Sequence, residues 1–429
     1  MFVAAVTDHS ASPTPTVAVI GSGVAGLTAA HVLRGRYEVV LFEADDRLGG
    51  HAHTHDVRTA GGKDLALDSG FLVHNERTYP TLLRLFAELD VATRPTEMSM
   101  SVRCDGCGLE YAGARRAAGL FAQRRNLVRP AYLRLLGEVL RFHRHANRVL
   151  DDPSTGELPL GEFVTAGGYS RYFTEHFLVP VVSAVWSASG ALSARYPARY
   201  LFTFLRHHGM LSVGGSPTWR TVVGGSRTYV RRVAARLSTV LTGTPVRAVH
   251  RDPGGVDVRD AADRVHRVDR VVIATHPDQA LRLLASPTRA ETEVLGAFRY
   301  SRNLASLHTD GTVLPSARGA RASWNLRKPR CATTGDPVQV SYDLNRLQGL
   351  TEPVDYLVSL GARPARDSVL AEMPYEHPVY TTESVAAQRR LPELDTGRTA
   401  FAGAYHGWGF HEDGCASGVR AAASLGAHW

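Results

Sequence analysis

The stretch Val17-Ala-Val-Ile20-Gly21-Ser-Gly23-Val-Ala-Gly26 decides the fold. Four apolar residues make a compact strand and three glycines a turn, after which Val24, Leu27, Ala30 and Leu33 recur at helical steps. Strand, glycine turn and helix in that order open a dinucleotide-binding unit. Gly21 makes the tight turn, Gly23 admits a pyrophosphate to the backbone, and Gly26 lets helix and strand pack closely. The helix start, with Val24 and Ala25 in its first turn, offers free N–H groups and a positive dipole end to the phosphates. A second strand, Tyr37 to Phe42, ends in Glu43, where an acid accepts the hydrogen bonds of an adenosine ribose. A lone glycine motif is weak; strand, helix, second strand and acid together are specific.

The rest of the chain sets the frame. At 429 residues it exceeds what one hydrophobic core usually serves, so two domains, or one cofactor domain with a large insertion, are expected. With 44% hydrophobic and 21% charged residues it reads as an ordinary soluble globular chain, and 4 Cys without a long polar tract exclude a disulfide scaffold and disorder. Only Lys63 and Lys328 are lysines among the 49 basic residues, so arginine carries the formal net charge of +8. The first residues lack a basic n-region, so 1–13 is predicted as a flexible tail and the cytoplasm as the compartment. The charge-free run Phe177 to Ala194 holds Pro180, Gly190 and four serines, which predicts a buried helix and no membrane span.

After Glu43 the chain reads Ala44-Asp-Asp-Arg47-Leu-Gly49-Gly50-His51. This segment resembles the FAD-binding segment of the flavin-containing amine oxidoreductase superfamily, which includes monoamine oxidases, amino-acid oxidases and carotenoid desaturases. The resemblance implies FAD as cofactor and adds Arg47, Gly50 and His51 to its contacts. Phe401-Ala-Gly403-Ala-Tyr405-His406-Gly-Trp408-Gly-Phe410-His411-Glu-Asp413-Gly414 matches the closing motif of that family. By resemblance Gly403 lies by the ribityl chain, and the helix start at Asp413 and Gly414 points N–H groups at the pyrimidine edge. Val246 would bracket the adenine, and Thr275 would end the strand that closes the dinucleotide domain. Leu72 and Val73, with Phe71, His74 and Asn75, would run along one side of the flavin ring. Tyr405, His406, Trp408, Phe410 and His411 would lie on or near the other, which makes His74, His406, Trp408 and His411 the candidate catalytic residues.

Phrases such as Gly70-Phe-Leu-Val-His74-Asn-Glu-Arg77-Thr-Tyr-Pro80 and Asn345-Arg-Leu-Gln348 resemble a narrower bacterial group, the FAD-dependent oxidoreductases that accompany cyclopropane-fatty-acyl-phospholipid synthases. That resemblance implies hydride transfer from an apolar, fatty-acyl substrate to flavin N5, with a lipid methyltransferase as candidate partner. Amine or amino-acid oxidation is one alternative; a non-catalytic flavin-bearing partner of the methyltransferase is another.

Because the cofactor motifs arrive in separate blocks, the expected fold is α/β: a discontinuous Rossmann-type FAD-binding domain over 14–75, 217–287 and 392–429. A second, α+β substrate domain then spans 76–216 and 288–391. Leu82, Leu85, Phe86 and Leu89, and Leu135, Val139, Phe142 and Val149, keep helical spacing there, while Gln339-Val-Ser-Tyr and Asp355-Tyr-Leu-Val-Ser alternate as strands do. Gly224-Gly225 lacks the spacing of a second nucleotide turn, so the substrate is expected to be the electron donor.

Several residues depart from the family pattern. His51 stands where many relatives place an arginine, and Asn303 where many amine oxidases carry a lysine near flavin N5, which counts against amine oxidation. His51, His53 and His55 alternate as on one strand face, but no carboxylate or cysteine with ligand spacing accompanies them. Cys104-Asp-Gly-Cys107 reads as a hairpin turn without a second C-x-x-C, so no metal site is expected. Cys415 follows the closing motif, yet dissociable FAD is expected because the attachment cysteines of the family lie elsewhere. From Arg115 to Arg148 nine arginines face one acid, Glu138, a surplus equal to the whole net charge of the chain. No nucleic-acid module surrounds this run; its amphipathic spacing suits peripheral contact with an anionic membrane.

Overall fold

The computed structural model describes residues 14–113, 116–152, 154, 156–186, 193–212, 214–332 and 339–429. The expected tail 1–13, Arg115 and residues 187–192 of the apolar run lie outside the described residues.

A parallel five-stranded sheet carries the cofactor half. Its spatial order is Thr239–Leu241, Glu38–Phe42, Thr16–Ile20, Arg270–Ile273, Thr399–Phe401. Strands from distant parts of the chain thus lie side by side, all parallel. Val17, Val19, Val39 and Leu41 turn toward the helices Val24–Leu33 and His411–Ser424, while Ala18, Ile20, Phe42 and Ile273 turn the other way. That other face is covered by an antiparallel meander of Val246–Asp252, Gly255–Asp260 and Val265–Val268. Burial on both faces explains why the strands are nearly continuous apolar runs. All ten residues of Val24–Leu33 are buried, and a Cβ on Gly418 would stand 2.4 Å from the Ala25 carbonyl oxygen. The two helices therefore touch backbone to backbone.

The second half is built on a seven-stranded sheet ordered Val369–Val379, Arg299–His308, Leu357–Leu360, Gln339–Asp343, Trp324–Lys328, Met100–Cys104, Leu109–Gly113. Only the pair Trp324–Lys328 and Met100–Cys104 is parallel. A layer of helices, including Pro130–Asp151, Leu160–Ala166, Val179–Trp186 and Ala198–His207, closes around Phe142, Phe173 and Phe202. Within the apolar run, Thr174–Leu178 makes a π-helical turn and Val181, Val182 and Trp186 of the next helix are buried. Among the described residues no helix is long and apolar enough to cross a membrane.

Two expectations change. The helix Pro80–Glu88 buries Leu82, Leu85 and Phe86 as its periodicity requires, but it packs into the cofactor-side core and not with the helical layer. The cause is a cap supplied from elsewhere: the Glu412 carboxylate accepts hydrogen bonds from Thr81 N at 3.0 Å and Leu82 N at 2.9 Å. Nor do the three alternating histidines share a strand. Only His55 lies on the strand Thr54–Arg58; the His53 ring, just before it, is 4.0 Å from that of His55, and His51 stacks on Tyr375 at 4.8 Å.

Candidate active site

The glycine turn has the geometry its sequence demands. Gly21 sits at φ +103, and a Cβ there would be 2.7 Å from Ala274 O; on Gly26 it would be 1.9 Å from Gly21 O. At Gly23, by contrast, nothing lies within 4 Å of an added Cβ. The helix start carries no side-chain cap, so its N–H groups face this open space. Gly50, at φ +56, brings the second glycine pair alongside, with its Cβ position 3.2 Å from Gly23 Cα. Arg47 Nη1 donates to Gly50 O at 2.9 Å and holds that loop. Glu43 accepts from Ser22 N at 2.9 Å and Ser22 Oγ at 2.5 Å, and Thr244 N donates to the Glu43 carbonyl at 2.8 Å. The acid is thereby fixed at the edge of the turn, with Val246 two residues on from Thr244 at the start of the meander. Thr275 stands over Gly21, its Cγ2 3.5 Å from an added Cβ.

The closing motif meets this turn directly. A Cβ on Gly414 would be 2.7 Å from Val24 Cγ1, so the starts of the two helices abut, with Ala25 beside them. Asp413 Oδ2 accepts from Phe410 N at 2.9 Å, and burial pushes the Asp413 carboxyl up to about 7. Gly403 N donates to Ser417 Oγ at 2.9 Å, and a Cβ there would strike the Tyr405 ring at 2.2 Å.

The aromatic run fans outward. Tyr405 packs on Phe298 under the parallel sheet at 5.4 Å, whereas Trp408 packs near Tyr200, Phe204 and His207 of the helical layer. These two rings occupy different cores. His406 Nδ1 accepts from Arg420, and burial takes its pKa down to about 3. His411 stacks on Phe71 at 3.8 Å and shares a hydrogen bond with Tyr229 Oη at 3.2 Å; burial, then the nearby His74, lowers it to about 3. His74 stands edge-on to Phe86 at 5.3 Å, is fully buried, and has no hydrogen-bond partner on either ring nitrogen. Leu72 and Val73 join the apolar cluster of the seven-stranded sheet with Tyr375 and Met373.

Spacing did not reveal a second cluster, contributed by that sheet. His377 Nδ1 and Asn303 Nδ2 lie 3.0 Å apart, the His377 ring is 5.6 Å from His51, and His276 stacks on Tyr300 at 4.0 Å. Burial lowers His377 to about 4 and depresses His51 well below the usual histidine range, with His377, His276 and His411 adding repulsion. These rings are therefore neutral at pH 7. The strand pairing of Asn303 with Tyr375 joins residues 72 positions apart in sequence, which no local period could signal. Neither lysine is here: Lys63 pairs with Glu352 and Lys328 with Glu175, each at 2.7 Å.

The residues fit FAD. An open glycine cradle, an uncapped helix start and a fixed acid suit the diphosphate and ribose, and His51 Nε2, buried without a partner, provides a polar contact beside them.

The chain is similar over 258 residues to a candidate flavin-containing monoamine oxidase of Mycobacterium tuberculosis, AofH, at 28% identity, covering 57% of this chain and 53% of that protein. It is 57% identical over 44 residues to polyamine oxidase 3 of Oryza sativa subsp. japonica, 10% of this chain and 9% of that one. The chain thus spans about half or less of the curated relatives it matches. Among solved structures, cyclohexylamine oxidase from Brevibacterium oxydans shares the fold at TM-score 0.66 and 17% identity, over 96% of this chain and 99% of that one. A CLA-producing fatty acid isomerase from P. acnes shares it at TM-score 0.65 and 14% identity, over 95% and 98%. The sequence profile of the flavin containing amine oxidoreductases matches residues 24–313, more than half of the chain, and the chain belongs to that FAD-binding family.

Proposed function

We propose that the protein is an FAD-dependent oxidoreductase that takes hydride from an apolar, fatty-acyl substrate. The observation that carries this reading is the uncharged wall of the site. Asn303 hydrogen-bonds to His377 and both lysines are paired to acids elsewhere, while His51, His377 and His411 are kept neutral by burial. Glu376 is already engaged by His276 and Arg302. A wall of neutral rings suits an acyl chain and excludes water, whereas a cationic amine would lack a free counter-charge. Bound FAD supplies the hydride acceptor. The His51 Nε2, buried without a partner, would contact the cofactor, and the stacked His411 and Phe71 rings would form part of the wall.

The arginine-rich surface supports a lipid reading. Helix Pro130–Asp151 buries Tyr132, Leu135, Phe142 and Ala146, but leaves Leu133 and Leu140 44% and 49% exposed. Leu127 and Val128, just before it, are 54% and 80% exposed, and Arg124, Arg125, Arg134, Arg144 and Arg148 of the same stretch of chain are exposed as well. Apolar side chains set among arginines match an anionic bilayer surface, at about 1 kcal/mol per arginine near it. A lipid methyltransferase is the proposed partner, on the sequence resemblance given above.

Anaerobic titration tests the substrate class: flavin bleaching is expected with acyl lipids and not with primary amines. Bleaching by amines alone, with release of peroxide and ammonia in air, would establish amine oxidation, which the names of the curated relatives favour. An unchanged lipid profile in cells lacking the gene would remove the lipid reading. A normal profile in cells carrying only an FAD-free Glu43→Ala protein would instead favour the non-catalytic partner.

A further inference from the structure

We infer that Cys104, Cys107, His176 and Cys331 form a structural zinc site that pins the helical layer to the seven-stranded sheet. Their ligand atoms all lie within 4.8 Å of one another. Cys104 Sγ and Cys331 Sγ are 3.7 Å apart, and Cys107 Sγ and His176 Nε2 are 3.6 Å apart. A tetrahedral zinc with Zn–S near ~2.3 Å and Zn–N near ~2.1 Å requires S···S of about 3.8 Å and S···N of about 3.6 Å. These two spacings match a tetrahedral zinc, and the 3.7 Å between the sulfurs is far from the ~2.05 Å of a disulfide.

Three separate elements deliver the ligands. Cys104 ends the strand Met100–Cys104, and Cys107 follows on the hairpin turn, with Gly108 at φ +68 turning the chain back. Cys331 follows the neighbouring strand Trp324–Lys328, in which Lys328 pairs with Cys104 in parallel register and Asp105 N donates to Lys328 O at 2.8 Å. The loops run so close that a Cβ on Gly106 would be 2.9 Å from Cys331 N. His176 is carried by the π-helical turn Thr174–Leu178, a local widening that re-aims a side chain without ending the helix.

The surroundings complete the chemistry. His176 Nδ1 lies 3.0 Å from Tyr172 O, so Nδ1–H donates there and Nε2 keeps its lone pair for a metal, the outer-shell bond typical of ligating histidine. Three thiolates and Zn2+ sum to one negative charge. Arg129 donates through Nη2 to Cys107 O at 2.6 Å, and its Nη1 is buried without a hydrogen-bond partner, a cation placed to balance that charge. Cys104 is fully buried and His176 2% exposed, and four protein ligands leave no open position, so the site is structural. The local sequence shows only one C-x-x-C because the third cysteine lies 227 residues from Cys104.

The full chain, purified without chelator and assayed by mass spectrometric metal analysis, should carry one zinc per chain. After zinc is removed, reconstitution with Co2+ alone should give the strong visible bands of tetrahedral thiolate coordination. Cys331→Ser should drop zinc from one equivalent to none while keeping stoichiometric FAD. Should that variant fail to fold, metal content and the Co2+ spectrum of the wild-type chain still decide. Wild-type protein with zinc far below one equivalent, a disulfide among the three cysteines, or a folded Cys331→Ser chain that keeps its zinc would overturn the inference.

Discussion

Two neighbouring glycines should respond in opposite ways to the same methyl group. Gly23 has φ −63 and ψ 173, a backbone any residue adopts, and nothing lies within 4 Å of an added Cβ. Gly23→Ala therefore costs only the poorer helix-start preference of alanine, ~1 kcal/mol. An unfolding entropy of ~2.1 cal/mol/K per residue gives about 0.9 kcal/mol/K for this chain, so the FAD-free protein should lose about 1 °C in Tm. FAD at one hundred times its Kd should stabilise the wild type by ~2.7 kcal/mol, or about 3 °C. In Gly23→Ala the methyl fills the space the diphosphate must enter, and that shift should vanish with the bound flavin. Gly26→Ala puts its Cβ 1.9 Å from Gly21 O and 3.2 Å from Ala274 Cβ, so it should fail to fold even without cofactor. Thermal denaturation of the FAD-free proteins, repeated across an FAD titration, measures both. A Gly23→Ala protein with the full FAD shift, or a Gly26→Ala protein that melts as the wild type does, would refute the assignment of the two glycines.

His74 supplies a pH test. Burial takes its pKa from 6.5 to about 4, so its contribution is intact above pH 6.5 and is lost as pH falls toward 4. His74→Leu should gain up to ~3 kcal/mol relative to wild type across that window, read by urea unfolding at pH 7 and pH 4.5; a pH-independent difference between the two proteins would contradict this. Glu412→Ala removes the cap on Pro80–Glu88 and should cost ~2 kcal/mol at pH 7, against no change for the exposed Glu76→Ala. Replacing both Leu133 and Leu140 with serine should cut cosedimentation with phosphatidylglycerol vesicles at least tenfold and leave Tm unchanged. Equal binding of wild type and variant, or binding to neutral vesicles that salt does not weaken, would exclude the proposed surface.

What could be read from the sequence was what the chain encodes locally. Gly21, Gly23 and Gly26 run from one strand through one turn into one helix, and Glu43 follows the next strand, so their spacing is a local signal. The hairpin at Cys104 and Cys107 was equally legible, since Asp-Gly between alternating residues is a local signal. Partners assembled by strand pairing were not. Asn303, Tyr375 and His377 meet through antiparallel register, Cys331 reaches Cys104 through a parallel one, and Glu412 caps a helix that starts more than three hundred residues earlier. The aromatic run at 405–411 was visible as a cluster, but its directions were not: alternating glycines let Tyr405 enter the core under the parallel sheet while Trp408 and Phe410 enter that of the helical layer.

The order of strands in the parallel sheet also sets a timetable for synthesis. Thr16–Ile20 leaves the ribosome shortly before its neighbour Glu38–Phe42, yet its other neighbour, Arg270–Ile273, and that strand's own partner, Thr399–Phe401, emerge much later. Helix Val24–Leu33, buried along its whole length, waits longer still for its cover, His411–Ser424. Until that cover arrives the nascent chain displays a bare apolar helix beside an incomplete sheet, a natural client for a chaperone. FAD, whose seat would include both helix starts, should be acquired only after helix His411–Ser424 has docked.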